Sequence, residues 1–343
     1  MMQALVARNY GPPGQLQIED LPIPEPGPGQ ILVKVAAASL NPADLMLTSG
    51  AIKDSFELRF PYVPGTDFAG TVTGLGPGVT SFATGDEVFG FGAPPSYAER
   101  FGLAAVTSGA LAEYATFQAE GPYVATRPEG LAPETAAALA STGMTAAAAL
   151  QDGAFLPGER VLVIGATGGI GSIAVPLLAK EKQAEVIATA IAEHTGYARG
   201  LGASATIDYV ACDVVEETLR LHHGGVDAIV NLVLDGEGLT EAVRALRPGG
   251  RLITTTLGSL GHGSLGRDDI TVRVVNGPPS LRAGTFSTLA LRALDGTLGD
   301  MISRRYPFAE AGRALRDLAA ARYTRGKYVV SMADAQAGRP GGP

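Results

Sequence analysis

Residues 161–171 read Val161-Leu162-Val163-Ile164-Gly165-Ala166-Thr167-Gly168-Gly169-Ile170-Gly171. This is an apolar strand, a glycine turn and the start of a helix. Ala166, Gly168 and Gly171 match the spacing of the dinucleotide fingerprint, with alanine at its first place. The chemistry accounts for the residue types. The turn must be tight, Gly168 lets the backbone approach a pyrophosphate with no Cβ between them, and Gly171 lets the helix pack close to the sheet. Thr167, Gly169 and Ile170 complete the turn, whose free N–H groups and positive helix end meet the anion. Glycine is frequent here, 46 of 343 residues. The match therefore draws its weight from the apolar strand before it and the strand–helix alternation after it.

The second strand of such a unit normally ends in an acid that takes the ribose hydroxyls of NAD. Val186-Ile187-Ala188-Thr189-Ala190-Ile191-Ala192 supplies none, and Glu193 comes two or three positions late. The missing acid tilts the expectation toward NADPH. Yet no Arg or Lys stands where a 2′-phosphate would want one, so NADH stays open. Thr189 and Arg199, the latter one helical turn on, are the side chains near that end; Arg199 reads equally as a solvated helix residue.

Metal and nucleic-acid chemistry are poorly provided for. A catalytic zinc needs three Cys, His or acid ligands and a structural zinc about four thiolates. The chain has one cysteine, Cys212, and histidines only at 194, 222, 223 and 262, so the expectation is no metal site and no intrachain disulfide. The net charge is −8, from 26 basic and 34 acidic residues without a basic block, which makes nucleic acid a poor partner. No run reaches the ~18 apolar residues of a membrane helix, and the first eight residues read as a strand rather than a signal peptide. A soluble, cytoplasmic protein acting on a small molecule is the simplest expectation.

The elements that must position the motif fall into blocks. Up to about residue 126, short apolar runs divided by glycine and proline predict a barrel-like β domain. Within it, 65–79 reads as a tight hairpin region. From Pro133, two alanine-rich helical runs end near Leu150. Strands are then expected at 160–164, 185–190, 205–207, 227–232 and 251–257, with helices at 170–182, 195–201, 214–221 and 239–246 between them. Such alternation predicts a parallel sheet covered on both faces. A further strand is expected at 270–275, helices at 286–295 and 308–321, and a last strand at 327–331.

With these markers in view, the chain resembles the zinc-free branch of the medium-chain dehydrogenase/reductase superfamily, quinone oxidoreductases and enoyl reductases. Its further markers are Asn41-Pro42-Ala43-Asp44, Pro64-Gly65-Thr66-Asp67-Phe68-Ala69-Gly70, Gly85-Asp86-Glu87-Val88, Thr145-Ala146, Leu201-Gly202-Ala203 and Gly326-Lys327. The resemblance implies an α/β chain: a GroES-like β-barrel catalytic domain (1–126), a Rossmann doubly wound parallel-sheet cofactor domain (127–275), and a return to the catalytic domain (276–343). It also implies a homodimer joined through the edge strand at 270–275.

Residue by residue, the resemblance implies that Asn41 faces the nicotinamide ribose and substrate, the alternative being an Asx turn before Pro42. Thr145 would touch the cofactor near the nicotinamide or else serve its helix. Tyr209 would flank the adenosine end or pack as a core aromatic. Asn231 and Leu257–Gly258 would line the dinucleotide path. Lys327 would lie near the cofactor or in solvent. Asp67 stands where zinc enzymes carry a His-Glu pair and Asp44 where they carry a Cys, so both are expected to be structural.

Two departures stand out. Several enoyl reductases of this family carry a proton-donating Tyr soon after Asn-Pro-x-Asp; Leu45-Met46-Leu47-Thr48-Ser49-Gly50 has none, leaving Tyr62 as the tyrosine to consider or water as the donor. The stretch 93–108 is longer than a usual connection and reads either as a substrate-shaping lid or as an irregular surface loop. The function expected is NAD(P)H-dependent hydride transfer, without zinc, to a quinone or α,β-unsaturated carbonyl, with the developing oxyanion held by polar groups near Asn41. Two alternatives are a secondary-metabolite tailoring enzyme on the same scaffold and a non-catalytic nucleotide-binding regulator.

Overall fold

The computed structural model describes residues 1–256, 265–275 and 277–332. The N-terminal region opens with the antiparallel pair β1 (Met2–Val6) and β2 (Gln17–Leu21). The main strands there are β3 (Gln30–Ser39), β4 (Asp67–Leu75), β5 (Glu87–Phe91), β6 (Tyr114–Gln118) and β7 (Val124–Thr126). They are joined by the short helices α1 (Pro42–Ser49) and α2 (Pro95–Phe101). β3 is the hub, pairing β4 on one side along its length and β6 and the C-terminal strand on the other. Its alternate residues Ile31, Val33 and Val35 are buried, as a half-buried strand requires.

The region 65–79 is not a tight hairpin. Residues 67–75 form one long strand between β3 and β5, and its glycines serve close approach rather than turning. A Cβ on Gly70 would stand 2.2 Å from the Lys34 carbonyl oxygen. The two alanine-rich runs likewise fuse into one 21-residue helix, α3 (Pro133–Gly153), which packs against β3, β4 and β5. Alanine's small side chain permits that close contact, and nothing near residue 141 interrupts the run.

The strand–helix alternation then appears as expected: β8 (Arg160–Ile164), α4 (Gly171–Pro176), β9 (Glu185–Thr189), α5 (Thr195–Leu201), β10 (Ala205–Ile207), α6 (Val214–Leu221), β11 (Val226–Asn231), α7 (Gly236–Ala242), β12 (Leu246–Thr254) and β13 (Thr271–Val274). Helix α7 begins before the expected 239 and gives way to β12 at Leu246, where the expected helix would have ended. The six strands form one parallel sheet in the order β10-β9-β8-β11-β12-β13. The order reverses between β8 and β11, and a crevice at that switch point is where such sheets take a ligand.

The chain returns through α8 (Thr285–Leu294), β14 (Ile302–Pro307), α9 (Ala311–Ala320) and β15 (Lys327–Ser331). β15 pairs antiparallel with β3 and parallel with β14, completing the seven-stranded sheet of the N-terminal region. Among the described residues, no helix is long and apolar enough to cross a membrane.

Candidate active site

The fingerprint turn sits at the C-terminal end of β8. Gly165 adopts a left-handed φ of +85°, and its N–H donates to the Thr189 hydroxyl at 3.1 Å. Thr189 thus braces the turn from β9. At Gly171 a Cβ would lie 2.4 Å from the carbonyl oxygens of both Gly165 and Ala166, so the helix–strand packing itself requires glycine. Ala166 is fully buried beneath the turn.

Gly168 differs. Its φ is not left-handed, and a Cβ there would meet no protein atom closer than 3.5 Å. Neither strain nor crowding within the chain demands a glycine, and the open space lies in the groove. A phosphate approaching the backbone fills that space, so the residues present fit a dinucleotide at this turn.

Three cavities join into one cleft. The first, about 390 Å³, runs past Thr167, Gly168, Thr189, Tyr209, Val233 and Tyr323. The second, about 420 Å³, shares Gly165, Gly168, Val233 and Thr324 with it and continues over Gly169, Ile170 and Gly171 to Thr145 and Lys327. The third, about 340 Å³, shares Asn41, Ser141, Thr145 and Ile170 with the second and ends in apolar walls. Those walls include Leu47, Phe91, Tyr97, Phe101 and Met144.

The expected residues fall into place unevenly along this cleft. Tyr209 is exposed at the first cavity, edge-on to Tyr323 with ring centroids 6.2 Å apart, and Arg322 lies over the Tyr323 ring. Arg322 and Tyr323 escaped sequence reasoning because the turn after α9 reaches this end only through the tertiary fold. Arg199 is exposed and lines none of the three cavities. Asn231 is buried, but its amide holds the following loop: it donates to the Leu234 carbonyl at 2.7 Å and accepts from the Leu234 N–H at 2.9 Å. Val233 and Leu234 of that loop line the path in its stead. Leu257 and Gly258 lie outside the described residues. Thr145 lines the second and third cavities while its hydroxyl donates back to the Ser141 carbonyl at 2.8 Å.

Lys327 is not a solvated lysine. The Gly326 N–H donates to the Thr167 carbonyl at 2.7 Å, which clamps the start of β15 onto the fingerprint turn. That clamp carries Lys327 inward, where it is 4% exposed. Its ammonium donates to the Leu40 carbonyl at 2.9 Å and the Asn41 amide oxygen at 2.5 Å, and stands 3.5 Å from Asp67. Burial draws its pKa below the usual lysine range, against the opposing pull of Asp67 and Asp44.

Asp67 is fully buried and accepts from the Ser39 hydroxyl and the Asn41 amide, both at 2.9 Å, and from the Ser141 hydroxyl and N–H. Asp44 accepts the Asn41 N–H at 2.8 Å, capping α1, and the Gly65 N–H at 3.1 Å. Burial pushes its carboxyl up to about 7 despite those two donors. Both acids are thus structural in position, tied to the loop that presents Asn41.

Tyr62 packs with Leu47, Phe56 and Leu58 and lines none of the three cavities. Burial, with Asp44 nearby, drives its phenol well above the usual tyrosine range. Among the described residues, the tyrosine lining the apolar cavity is Tyr97, from α2. The stretch 93–108 therefore contains a helix, whose Tyr97 and Phe101 stack against Phe56 with centroids 4.8 and 5.8 Å away. A lone seven-residue helix between glycines and prolines leaves no periodic signal, which is why it read as loop.

Two family models match the chain, the alcohol dehydrogenase GroES-like domain over residues 27–128 and the zinc-binding dehydrogenase domain over 169–277. A mycocerosic acid synthase-like polyketide synthase of Mycobacterium tuberculosis is 33% identical over 90% of this chain. A chloroplastic quinone-oxidoreductase homolog of Spinacia oleracea is 37% identical over 61% of this chain. The structure of a quinone oxidoreductase from Coxiella burnetii superposes with a TM-score of 0.81 at 27% identity, covering 96% of this chain and 99% of that one. The chain belongs to the medium-chain dehydrogenase/reductase superfamily. The two matched models correspond to the GroES-like and Rossmann-type halves described above. The chain spans 14% of the length of the mycobacterial synthase and 61% of the spinach protein.

The name of the second family model raises zinc. Among the described residues, no group of three His, Cys, Asp or Glu is arranged to hold a metal ion. Cys212 is exposed and lines none of the three cavities. The Asp67 carboxylate is occupied by hydroxyl, amide and ammonium donors, and the Lys327 cation already stands beside it. A dication does not fit this donor set.

Proposed function

We propose that the chain is an NADPH-dependent reductase that transfers hydride, without zinc, to a quinone or an α,β-unsaturated carbonyl. One observation carries the reading: the groove over the fingerprint turn opens, past Thr145 and Asn41, into an apolar cavity walled by aromatic side chains. Such a pocket takes a conjugated, weakly polar carbonyl compound and excludes water from it. When bound, the reduced nicotinamide supplies the two electrons and the hydrogen. The chain's own groups hold the pyrophosphate at the Gly165–Gly171 turn, position the acceptor against Leu47, Phe91 and Met144, and keep Asn41 in one orientation.

The preference for NADPH rests on Arg322 beside Tyr209 and Tyr323 at the adenosine end, and on the lack of an acid at the end of β9. NADH remains the comparison in the test. The proposal that no zinc takes part rests on Lys327, whose ammonium stands beside the buried Asp67 carboxylate. We assign 1–126 and 276–343 to the catalytic half and 127–275 to the cofactor half. Among the described residues β13 is the outermost strand of the parallel sheet and pairs only with β12, so its outer edge is the one proposed to join a second copy in a homodimer.

The test is a fluorescence titration with NADPH and NADH, followed by a panel of quinones and enones. Tight NADPH binding with turnover of a conjugated carbonyl supports the reading; binding of neither nucleotide overturns it.

A further inference from the structure

Four polar side chains stand where groove meets apolar cavity: Asn41, Ser141 and Thr145 line both, and Thr66 lines the apolar cavity beside them. Three have their donors committed inward. Ser141 donates to Asp67, and Thr145 donates to the Ser141 carbonyl. Both N–H groups of Asn41 are taken, one by Asp67 at 2.9 Å and one by the Thr66 hydroxyl oxygen at 3.2 Å. The amide cannot be turned over, because its oxygen faces the Lys327 ammonium and its nitrogen faces a carboxylate. Asn41 is therefore unable to donate to a substrate oxygen, although sequence reasoning looked there for that role.

Thr66 differs from the other three. It is buried, its oxygen accepts from Asn41, and no described residue accepts its proton. We propose that the Thr66 hydroxyl is the hydrogen-bond donor to the substrate's carbonyl oxygen, polarised by the chain Lys327–Asn41–Thr66. Thr66 is then a catalytic residue, and Asn41 and Lys327 are positioning residues that act through it. This deepens the reductase reading and rests on it.

The step balances simply. A hydride reaches the β-carbon of the enone, the carbon–carbon π pair moves to form an enolate, and the charge develops on the carbonyl oxygen. Water then protonates the α-carbon. A quinone follows the same course, the oxygen becoming a quinol oxygen. Donation from Thr66 strengthens as that charge grows, because linked hydrogen bonds polarise one another in a buried site. Two other hydroxyls line the cavity and have no acceptor among the described residues, those of Thr255 and Tyr97. Neither is hydrogen-bonded to a group that a buried cation holds.

The test compares Thr66→Val, which keeps the shape, with Thr66→Ser, which keeps the hydroxyl. Removing one such donor lowers kcat about 100-fold. Thr66→Val should show that loss with NADPH affinity unchanged, and Thr66→Ser should recover most of it. A second readout needs no turnover: 4-nitrophenol, a phenol shaped like a quinol, is titrated spectroscopically in the cleft. Wild type should bind the phenolate more tightly than the phenol, and Thr66→Val should lose that preference. If wild type turns over but Thr66→Val retains its kcat and its phenolate preference, or if the loss follows Tyr97→Phe instead, the Thr66 assignment is overturned. If wild type reduces no quinone or enone at all, the reductase reading and this assignment fall together.

Discussion

The Lys327 ammonium lies 2.5 Å from the Asn41 amide oxygen, across 286 positions of sequence, and together they connect the last strand to the mouth of the substrate cavity. The contact depends on β15 lying beside β3 and on the clamp from Gly326 to Thr167. It explains why a chain with one exposed cysteine still carries two buried acids at the cleft: the cation they face is a side chain.

Lys327→Met should therefore destabilise the protein markedly. It leaves the Asp67 carboxylate buried beside no cation, and breaking such a pair from one side costs about 3–5 kcal/mol. Urea denaturation measures it. The double variant Lys327→Met with Asp67→Asn should recover much of the loss, since the uncompensated charge is then gone.

Asp44 should make stability depend on pH. Its folded pKa, about 7, lies above the unfolded value near 3.8. A raised carboxyl contributes stability that is fully present below the unfolded pKa and is lost as pH rises through the folded one. The window is thus about pH 4 to 7, with a slope of up to about 1.4 kcal/mol per pH unit. Asp44→Asn removes this titration and misplaces an acceptor for the Asn41 or Gly65 N–H. The stability gap between wild type and Asp44→Asn should be widest near pH 4 and should narrow toward pH 7. A gap constant across that range would contradict the assignment.

The two fingerprint glycines should separate binding from folding. At Gly168 a Cβ has room within the protein, so Gly168→Ala should keep its melting temperature and weaken NADPH binding at least tenfold. At Gly171 a Cβ would stand 2.4 Å from two carbonyl oxygens, so Gly171→Ala should cost about 1–3 kcal/mol of stability. Melting curves paired with nucleotide titrations distinguish them.

Arg322→Gln should weaken NADPH binding roughly tenfold while leaving NADH binding within about twofold, the pattern of a lost charge-assisted contact to a 2′-phosphate. Equal weakening of both would instead place Arg322 against a group common to the two nucleotides.

Much of the fold was legible because its signals are local. The run 161–171 announces strand, turn and helix within eleven residues, and the alternation that follows repeats the signal. The site was less legible because its contacts are distant. Nothing near Lys327 says that its partner is Asn41, and nothing in the 65–79 region tells close-packing glycines from turn glycines. Tyr62 drew attention by lying near the Asn-Pro-x-Asp stretch, yet it packs away from the cleft, and α2 delivers Tyr97 there. Asn231, at a strand end as expected, turns its amide to its own loop. Spacing predicted which strands would end at the crevice but not which way their side chains would face.

The most direct measurement follows NADPH oxidation at 340 nm by a panel of quinones and enones, using protein whose metal content has been measured and reduced to zero. The account predicts stoichiometric NADPH consumption and formation of the reduced carbonyl compound by the metal-free protein. No consumption with any acceptor, or turnover that appears only when zinc is restored, would contradict it.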